Sequence, residues 1–226
     1  MLRSLPFVCA IVGGLVPAYC IAGDAQVEMV EGVPAEVDAS IAAQLVPRHA
    51  RVRVDDQELC EIWVAKSWAS AAKVEQTDGA APITYRIEPG TLVGVLKVSQ
   101  PSRDLREQDV PAGVYTLRYA VQPDFEAHKE SHETRDFLLL LAPKVDKSPE
   151  PPGDQDRLIE LSAEAIQTMH PGFLALVKPT NPDKGNSIRP DDRDPDGLIL
   201  QVQGADAKGG KVPLEMILLK AAEPGA

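Results

Sequence analysis

Polar and apolar residues alternate along much of the chain, which is the period of a β-strand with one buried face. Residues 51–54 read Arg-Val-Arg-Val, and a second strand-like run follows at 58–65. The two runs are separated by Asp55-Asp56-Gln57, a polar connection typical of a turn. The pattern therefore predicts a β-hairpin here.

The same criteria predict six further strands. They span residues 83–87, 92–98, 114–121, 137–141, 198–203 and 212–220. The run at 137–141 is apolar throughout, which is typical of a strand buried on both faces in the centre of a sheet. The last two runs are expected to pair as a hairpin.

One segment has helical periodicity instead. Its apolar positions are Leu158, Leu161, Ala165 and Met169. Asp154 or Asp156 is predicted to cap its start, and Pro171 is predicted to end it by restricting the residue before it. A strand-rich chain with one short amphipathic helix favours a mainly β fold, an antiparallel β-sandwich of immunoglobulin-like or related type.

The N-terminal segment, residues 1–23, has the pattern of a secretory signal peptide. An arginine near the start is followed by an apolar run at 5–16, and Cys20 and Ala22 are small residues at the −3 and −1 positions of a cleavage site. Cleavage near Ala22 would leave the protein periplasmic or secreted. Tyr19 argues against lipid anchoring at Cys20, because that position normally holds Gly, Ala or Ser.

Residues 24–226 are predicted to form a single β-sandwich domain, since no repeat or break in composition divides them. Residues 67–82 and 178–197 are predicted to be long loops, rich in Ala, Pro and Asp. No segment after the signal approaches the roughly 18 uninterrupted apolar residues of a membrane-spanning helix. The sequence therefore predicts no transmembrane segment.

Charge and cysteine content narrow the function classes. The formal charge of −11 opposes binding to nucleic acid or to anionic lipid, which are themselves anions. Two of the three cysteines precede the predicted cleavage site, so Cys60 has no partner for an intramolecular disulfide. Its apolar neighbours predict a buried small side chain.

The first candidate for chemistry is an acidic run, Asp192, Asp194 and Asp196, followed by Gly197. Carboxylates at alternate positions can converge on one hard cation, and glycine permits the turn between them. The twelfth position is Gln203 where an EF-hand has a bidentate Glu, so the prediction is a weak, partial calcium site. Calcium is the one cofactor that the sequence suggests, and an acidic surface turn is the alternative.

The second candidate is a histidine pair, His128 and His132, four residues apart. On a helix these side chains would share a face and could bind one transition metal. Glu133 or His170 could add a further ligand if the fold brought it close. This predicts, as the alternative function, a transition-metal-binding protein or a metal-dependent enzyme.

A distinctive motif runs from Val110 to Tyr119, with the string Pro-Ala-Gly-Val-Tyr-Thr-Leu-Arg-Tyr. Together with residues 135–140 and with Met169-His170-Pro171, it resembles a group of exported β-rich proteins of environmental bacteria, of the planctomycete and acidobacteria type. The resemblance covers roughly residues 50–178. It implies export and a β-rich fold, and it assigns no catalytic residue.

The sequence contains no nucleophile elbow, phosphate-binding glycine loop, HExxH or CxxC motif. We therefore predict an exported, soluble binding or structural module of unknown ligand, and not an enzyme. Its partner would be a protein or a small molecule, and its oligomeric state is left open. A third possibility is an accessory subunit that binds through exposed sheet edges.

Overall fold

The structure is a computed structural model, and it describes residues 24–74, 76, 80–122 and 133–222. The predicted signal segment lies outside these residues. The strands and helices of the described part are β1 (Ala25–Glu31), α1 (Ala39–Ala42), β2 (Arg48–Val54), β3 (Gln57–Val64), β4 (Leu92–Val98), β5 (Ser102–Arg103), β6 (Asp109–Val110), β7 (Gly113–Val121), β8 (Asp136–Leu141), α2 (Gln155–Ile166), β9 (Phe173–Val177), β10 (Ser187–Asp191), β11 (Asp194–Ala205), β12 (Lys211–Ile217) and β13 (Lys220–Ala221). A short 3₁₀ turn spans Pro182–Lys184.

The fold is mainly β with antiparallel pairing, which confirms the coarse prediction. Ten strands form one sheet in the order β1-β2-β3-β4-β7-β8-β9-β12-β11-β10, and β13, β5 and β6 form a second, small sheet. The predicted first hairpin is confirmed as β2 and β3, joined by Asp55 and Asp56, which both have positive φ. The predicted central strand is confirmed as β8, which lies between β7 and β9.

The ten-stranded sheet curls until its last strand lies alongside its first. At this seam the Asn186 amide donates to Met29 Sδ at 3.0 Å. Among the described residues no backbone ladder joins β1 to β10, so they remain the two edges of the sheet.

Side chains on the inner face of the curl form one large apolar core. Along β3, Cys60 and Ile62 point into it, whereas Glu61 and Trp63 point out, as the strand alternation requires. Trp68 closes one end of this core by packing on Gly204, where an added Cβ would lie 2.1 Å from the indole. The prediction that Cys60 is buried is confirmed.

Both helices pack on the outer face of the sheet, α1 against β3 and β4, and α2 against β8. The Asp154 carboxylate caps α2 by accepting from the Arg157 amide, as predicted. The helix ends at Ile166 because Gln167 adopts a left-handed conformation, with φ of 60°. Met169 therefore lies outside the helix and is 93% exposed, which corrects its predicted place on the apolar face. Neither helix of the described residues is long and apolar enough to span a bilayer.

Two other sequence-based predictions are corrected. Residues 83–87 form no strand, because the Thr84 and Tyr85 amides donate to the Asp136 carboxylate and not to a neighbouring strand. Residues 178–197 are not a continuous loop, since they contain β10 and the start of β11, which pair through a tight hairpin.

Candidate functional site

A row of alternating charges crosses the outer face of four strands. Glu28 of β1 is opposite Arg51 of β2, Arg51 is opposite Glu61 of β3, and Glu61 is opposite Lys97 of β4. We call these four residues the charge ladder. Opposite charges on directly paired residues of neighbouring strands stabilise the pairing.

Glu61 is the centre of the ladder, and its side chain is 6% exposed. Its carboxylate accepts from Lys97 Nζ at 2.7 Å and from Arg51 Nη2 at 3.3 Å. Burial alone would raise the pKa of Glu61, but the hydrogen bonds from Lys97 and His49 and the charges of Lys97 and Arg51 outweigh it and lower the pKa to about 2. Glu61 is therefore an anion in the folded protein at neutral pH.

His49 lies next to the ladder and is buried. Its Nε2 is 2.5 Å from Glu61 Oε2, and its Nδ1 is 3.3 Å from the carbonyl oxygen of Pro47. Its ring stacks on Trp63 at 4.1 Å between centroids, and the Trp63 indole donates to the carbonyl oxygen of Gly32. Because its ring nitrogens contact Pro47 and Glu61, His49 links the start of β2 to β3.

A second buried ion pair joins Arg118 of β7 to Asp146, and both side chains are fully buried. The guanidinium donates to both carboxylate oxygens, at 2.8 and 2.6 Å. It also donates to the carbonyl oxygens of Gly90, Ser148 and Pro149. This one side chain therefore holds the proline-rich segment before α2 against the sheet.

A third polar cluster lies inside the curl, around Asp136. Its carboxylate accepts from the Tyr119 hydroxyl at 2.6 Å and from the Thr84 and Tyr85 amides. Burial raises the pKa of Asp136 above its ordinary value, and these three donors partly oppose that effect. The Tyr85 hydroxyl extends the cluster by donating to the carbonyl oxygen of Val177. Asp136 therefore holds the segment that contains Thr84 and Tyr85 against the core.

The predicted calcium run lies at the turn between β10 and β11. Asp192 is in the two-residue turn itself, and Asp194 pairs with Asp191 across the hairpin. The Asp194 carboxylate forms an ion pair with Lys220, and Asp191 forms one with Arg193. Because the cationic partners already neutralise these two carboxylates, the arrangement does not favour calcium, and the calcium site stays a prediction.

The histidine candidates are not brought together by anything that the structure describes. His128 and His132 lie outside the described residues, and His170 is exposed beyond the end of α2. Across the described part of the chain, no group of three or more His, Cys, Asp or Glu side chains is placed to hold a metal ion. The transition-metal alternative therefore also stays a prediction.

The charge ladder and the Arg118–Asp146 pair were not predicted from the sequence. A signal for the ladder was present, since basic residues alternate along β2 and Glu58 and Glu61 follow on the other arm of the hairpin. No local signal linked Arg118 to Asp146, which lies 28 residues further along the chain.

The motif that carries the predicted resemblance has a clear structural role. The Tyr115 hydroxyl donates to the carbonyl oxygen of Pro111 at 2.8 Å, which closes the turn that leads into β7.

Comparison with protein-family models, with curated proteins and with solved structures finds no match to this chain. The functional assignment therefore rests on the residues and their geometry.

Proposed function

We propose that this chain is an exported, soluble, non-catalytic module that acts through its surface, as a binding or structural component. The observation that carries the proposal is that its buried ionisable side chains form hydrogen bonds and ion pairs within the chain. Arg118, Asp146, Asp136 and Glu61 each bond to other groups of the chain and fasten loops or strands. Side chains engaged in this way support a scaffold, because a catalytic acid or base needs access to substrate.

We also propose that the curled ten-stranded sheet is a nearly closed barrel, in place of the predicted two-sheet sandwich. The continuous strand order and the seam contact between Met29 and Asn186 support this. The barrel interior is filled by side chains such as Leu138, Leu200 and Met216, which are fully buried. A filled interior favours binding at the outer surface or at an edge.

The edge of β1 is the surface that we propose for binding. Ladder bonds alternate along an antiparallel strand. At one end of β1 the Asp55 amide donates to the carbonyl oxygen of Asp24, and at the other the Gly32 amide donates to that of Pro47. Even-numbered residues therefore bond to β2, and the amides of odd-numbered residues such as Val27 point towards the free edge.

The two edge strands of the sheet differ in how well they are protected against pairing with an added strand. β10 contains Pro190 and a register irregularity after it, and both features discourage an added strand. β1 contains neither proline nor lysine. We propose that an extended segment of a partner protein pairs with β1 on the N-terminal side of Met29, which already contacts Asn186.

A photo-crosslinking amino acid in place of Gln26, on β1, tests this proposal in the cells that make the protein. We expect a covalent adduct with one partner, and loss of that adduct when Val27→Pro removes the edge-facing amide. Val27→Ala, which shortens the side chain but retains the amide, is the matched control and should keep the adduct.

A second control uses the same crosslinker in place of Glu160, which is exposed on α2. An equal adduct from this position would show that the edge of β1 is not the binding surface. The same conclusion would follow if the adduct from position 26 survived Val27→Pro in a protein whose far-ultraviolet circular dichroism spectrum is unchanged.

A further inference from the structure

Three methionines of the described residues differ widely in exposure. Met169 is 93% exposed, Met29 is partly buried at the seam between β1 and β10, and Met216 is fully buried in the core. A methionine this exposed is unusual, since the residue generally fills apolar cores. Within the described residues, packing gives no reason for an apolar side chain at position 169.

The backbone around Met169 is held in place on both sides. Before it, the Thr168 amide donates to the carbonyl oxygen of Ala163, at the end of α2. After it, Gln108 donates to the carbonyl oxygen of Pro171. The Thr168 hydroxyl bonds across the turn to the carbonyl oxygen of His170 at 2.5 Å. The thioether is thus presented to solvent from a fixed turn, and not from a free chain end.

We propose that Met169 is a site of reversible oxidation in the folded protein, with peroxide as the class of oxidant. The sulfur lone pair attacks one peroxide oxygen, the O–O bond breaks and an S–O bond forms. Sulfur loses two electrons, and the oxygen bound to it passes its proton to the leaving hydroxide. The products are the sulfoxide and one water molecule. Because Met169 contributes no core packing, the polar sulfoxide costs no buried contact, and methionine sulfoxide reductases can restore the thioether.

The environments of the other two methionines predict the order in which the three side chains are oxidised. Met29 is partly buried at the seam and its Sδ accepts from Asn186 at 3.0 Å, so peroxide reaches this sulfur less readily than that of Met169. Met216 is enclosed by the core of the curled sheet, so its oxidation requires a larger unfolding event. Oxidation of Met169 needs no opening, whereas Met29 is partly shielded and oxidation of Met216 requires an opening that costs free energy.

The test is peptide mapping by mass spectrometry of the full mature protein treated with hydrogen peroxide at neutral pH. We expect a gain of one oxygen at Met169 first, about tenfold or more faster than at Met216, with Met29 between them. Repeating the reaction in guanidinium, where all three sulfurs are exposed, should make the three rates similar. Incubation of the oxidised protein with the two methionine sulfoxide reductases should remove the added oxygen.

Met169→Leu is the control variant, and it should abolish the fast phase and leave the melting temperature unchanged. The proposal is overturned if Met169 reacts no faster than Met29 in the folded protein. It is also overturned if oxidation confined to Met169 lowers the melting temperature, because the sulfoxide would then have disturbed packing.

Discussion

Glu61 of β3 and Lys97 of β4 are directly opposite each other in the sheet, with the Lys97 ammonium 2.7 Å from the Glu61 carboxylate. Glu61 also reaches Arg51 and His49 on β2. One nearly buried carboxylate therefore links three neighbouring strands of the outer face. The charge of Glu61 matters for folding, since a neutral side chain at position 61 would leave Arg51 and Lys97 with the more exposed Glu58 as their remaining acidic partner.

Acid should weaken the protein through Glu61. Its folded pKa is about 2, below the ordinary value, so its contribution is complete above about pH 4.5 and is lost as the pH falls towards 2. We expect Glu61→Gln to remove on the order of 2 kcal/mol of pH-dependent stability, after allowance for partial solvation. Urea unfolding between pH 2 and pH 7 measures this.

Glu160→Gln is the matched control, because Glu160 is an exposed carboxylate on α2 whose partner Arg157 is also exposed. This variant should keep the pH slope of the parent protein. Equal slopes for the parent and for Glu61→Gln would contradict the assigned role of Glu61.

Arg118→Met should cost about 3–5 kcal/mol, because it leaves the buried Asp146 carboxylate without its cation. It also frees the segment before α2, whose carbonyl oxygens at Ser148 and Pro149 bond to the guanidinium. We expect a lower urea midpoint together with new protease cleavage in residues 143–153. Arg157→Met, at an exposed position of α2, should change stability by about 0.5 kcal/mol or less.

Gly204→Ala should destabilise the protein by about 3 kcal/mol, since the new Cβ would lie 2.1 Å from the Trp68 indole. Trp68→Leu should be destabilising by itself, because that side chain is buried. In the double variant the smaller side chain makes room for the Cβ, so the two costs should not add. Strict additivity in chemical denaturation would show that the contact does not limit position 204.

The predicted calcium site can be tested by substituting Lys220, because its ammonium group forms an ion pair with the Asp194 carboxylate. If the acidic turn binds calcium with a Kd of about 1 mM, calcium at about 10 mM should raise the melting temperature by about 3–5 °C. We expect the shift to be larger in Lys220→Met, which frees the carboxylate, and absent in Asp194→Ala. No shift in either the parent protein or Lys220→Met would end the calcium prediction.

The predicted signal peptide is tested by the N-terminus of the protein recovered from outside the cytoplasm. Cleavage after Ala22 makes Gly23 the first residue. Intact-mass measurement and N-terminal sequencing should both show this end. A lipid-modified cysteine at position 20 would instead support the anchored form.

Local sequence was sufficient for several elements. Apolar alternation and turn residues located β4 to the residue and β7 and β8 to within one residue at their N-terminal ends. Asp154 was predicted as one of two possible caps for α2. A capping hydrogen bond joins residues only three apart in the chain, so a local pattern is enough to predict it. These features depend on neighbours in the chain, so the sequence by itself determined them.

Register and long-range pairing needed the tertiary structure. A one-residue irregularity between Val52 and Arg53 shifts β2 against β3, and without it Arg51 would be opposite Cys60 and not Glu61. The partner of Arg118 is 28 residues away, and Met169 left the helix because Gln167 turned left-handed. The sequence alone predicted seven of the ten strands of the large sheet and its antiparallel β class, but it did not predict β1, β9 or β10. Only the packing of the curled sheet decided which charges meet and which side chains stay in solvent, because those contacts join residues that no local pattern relates.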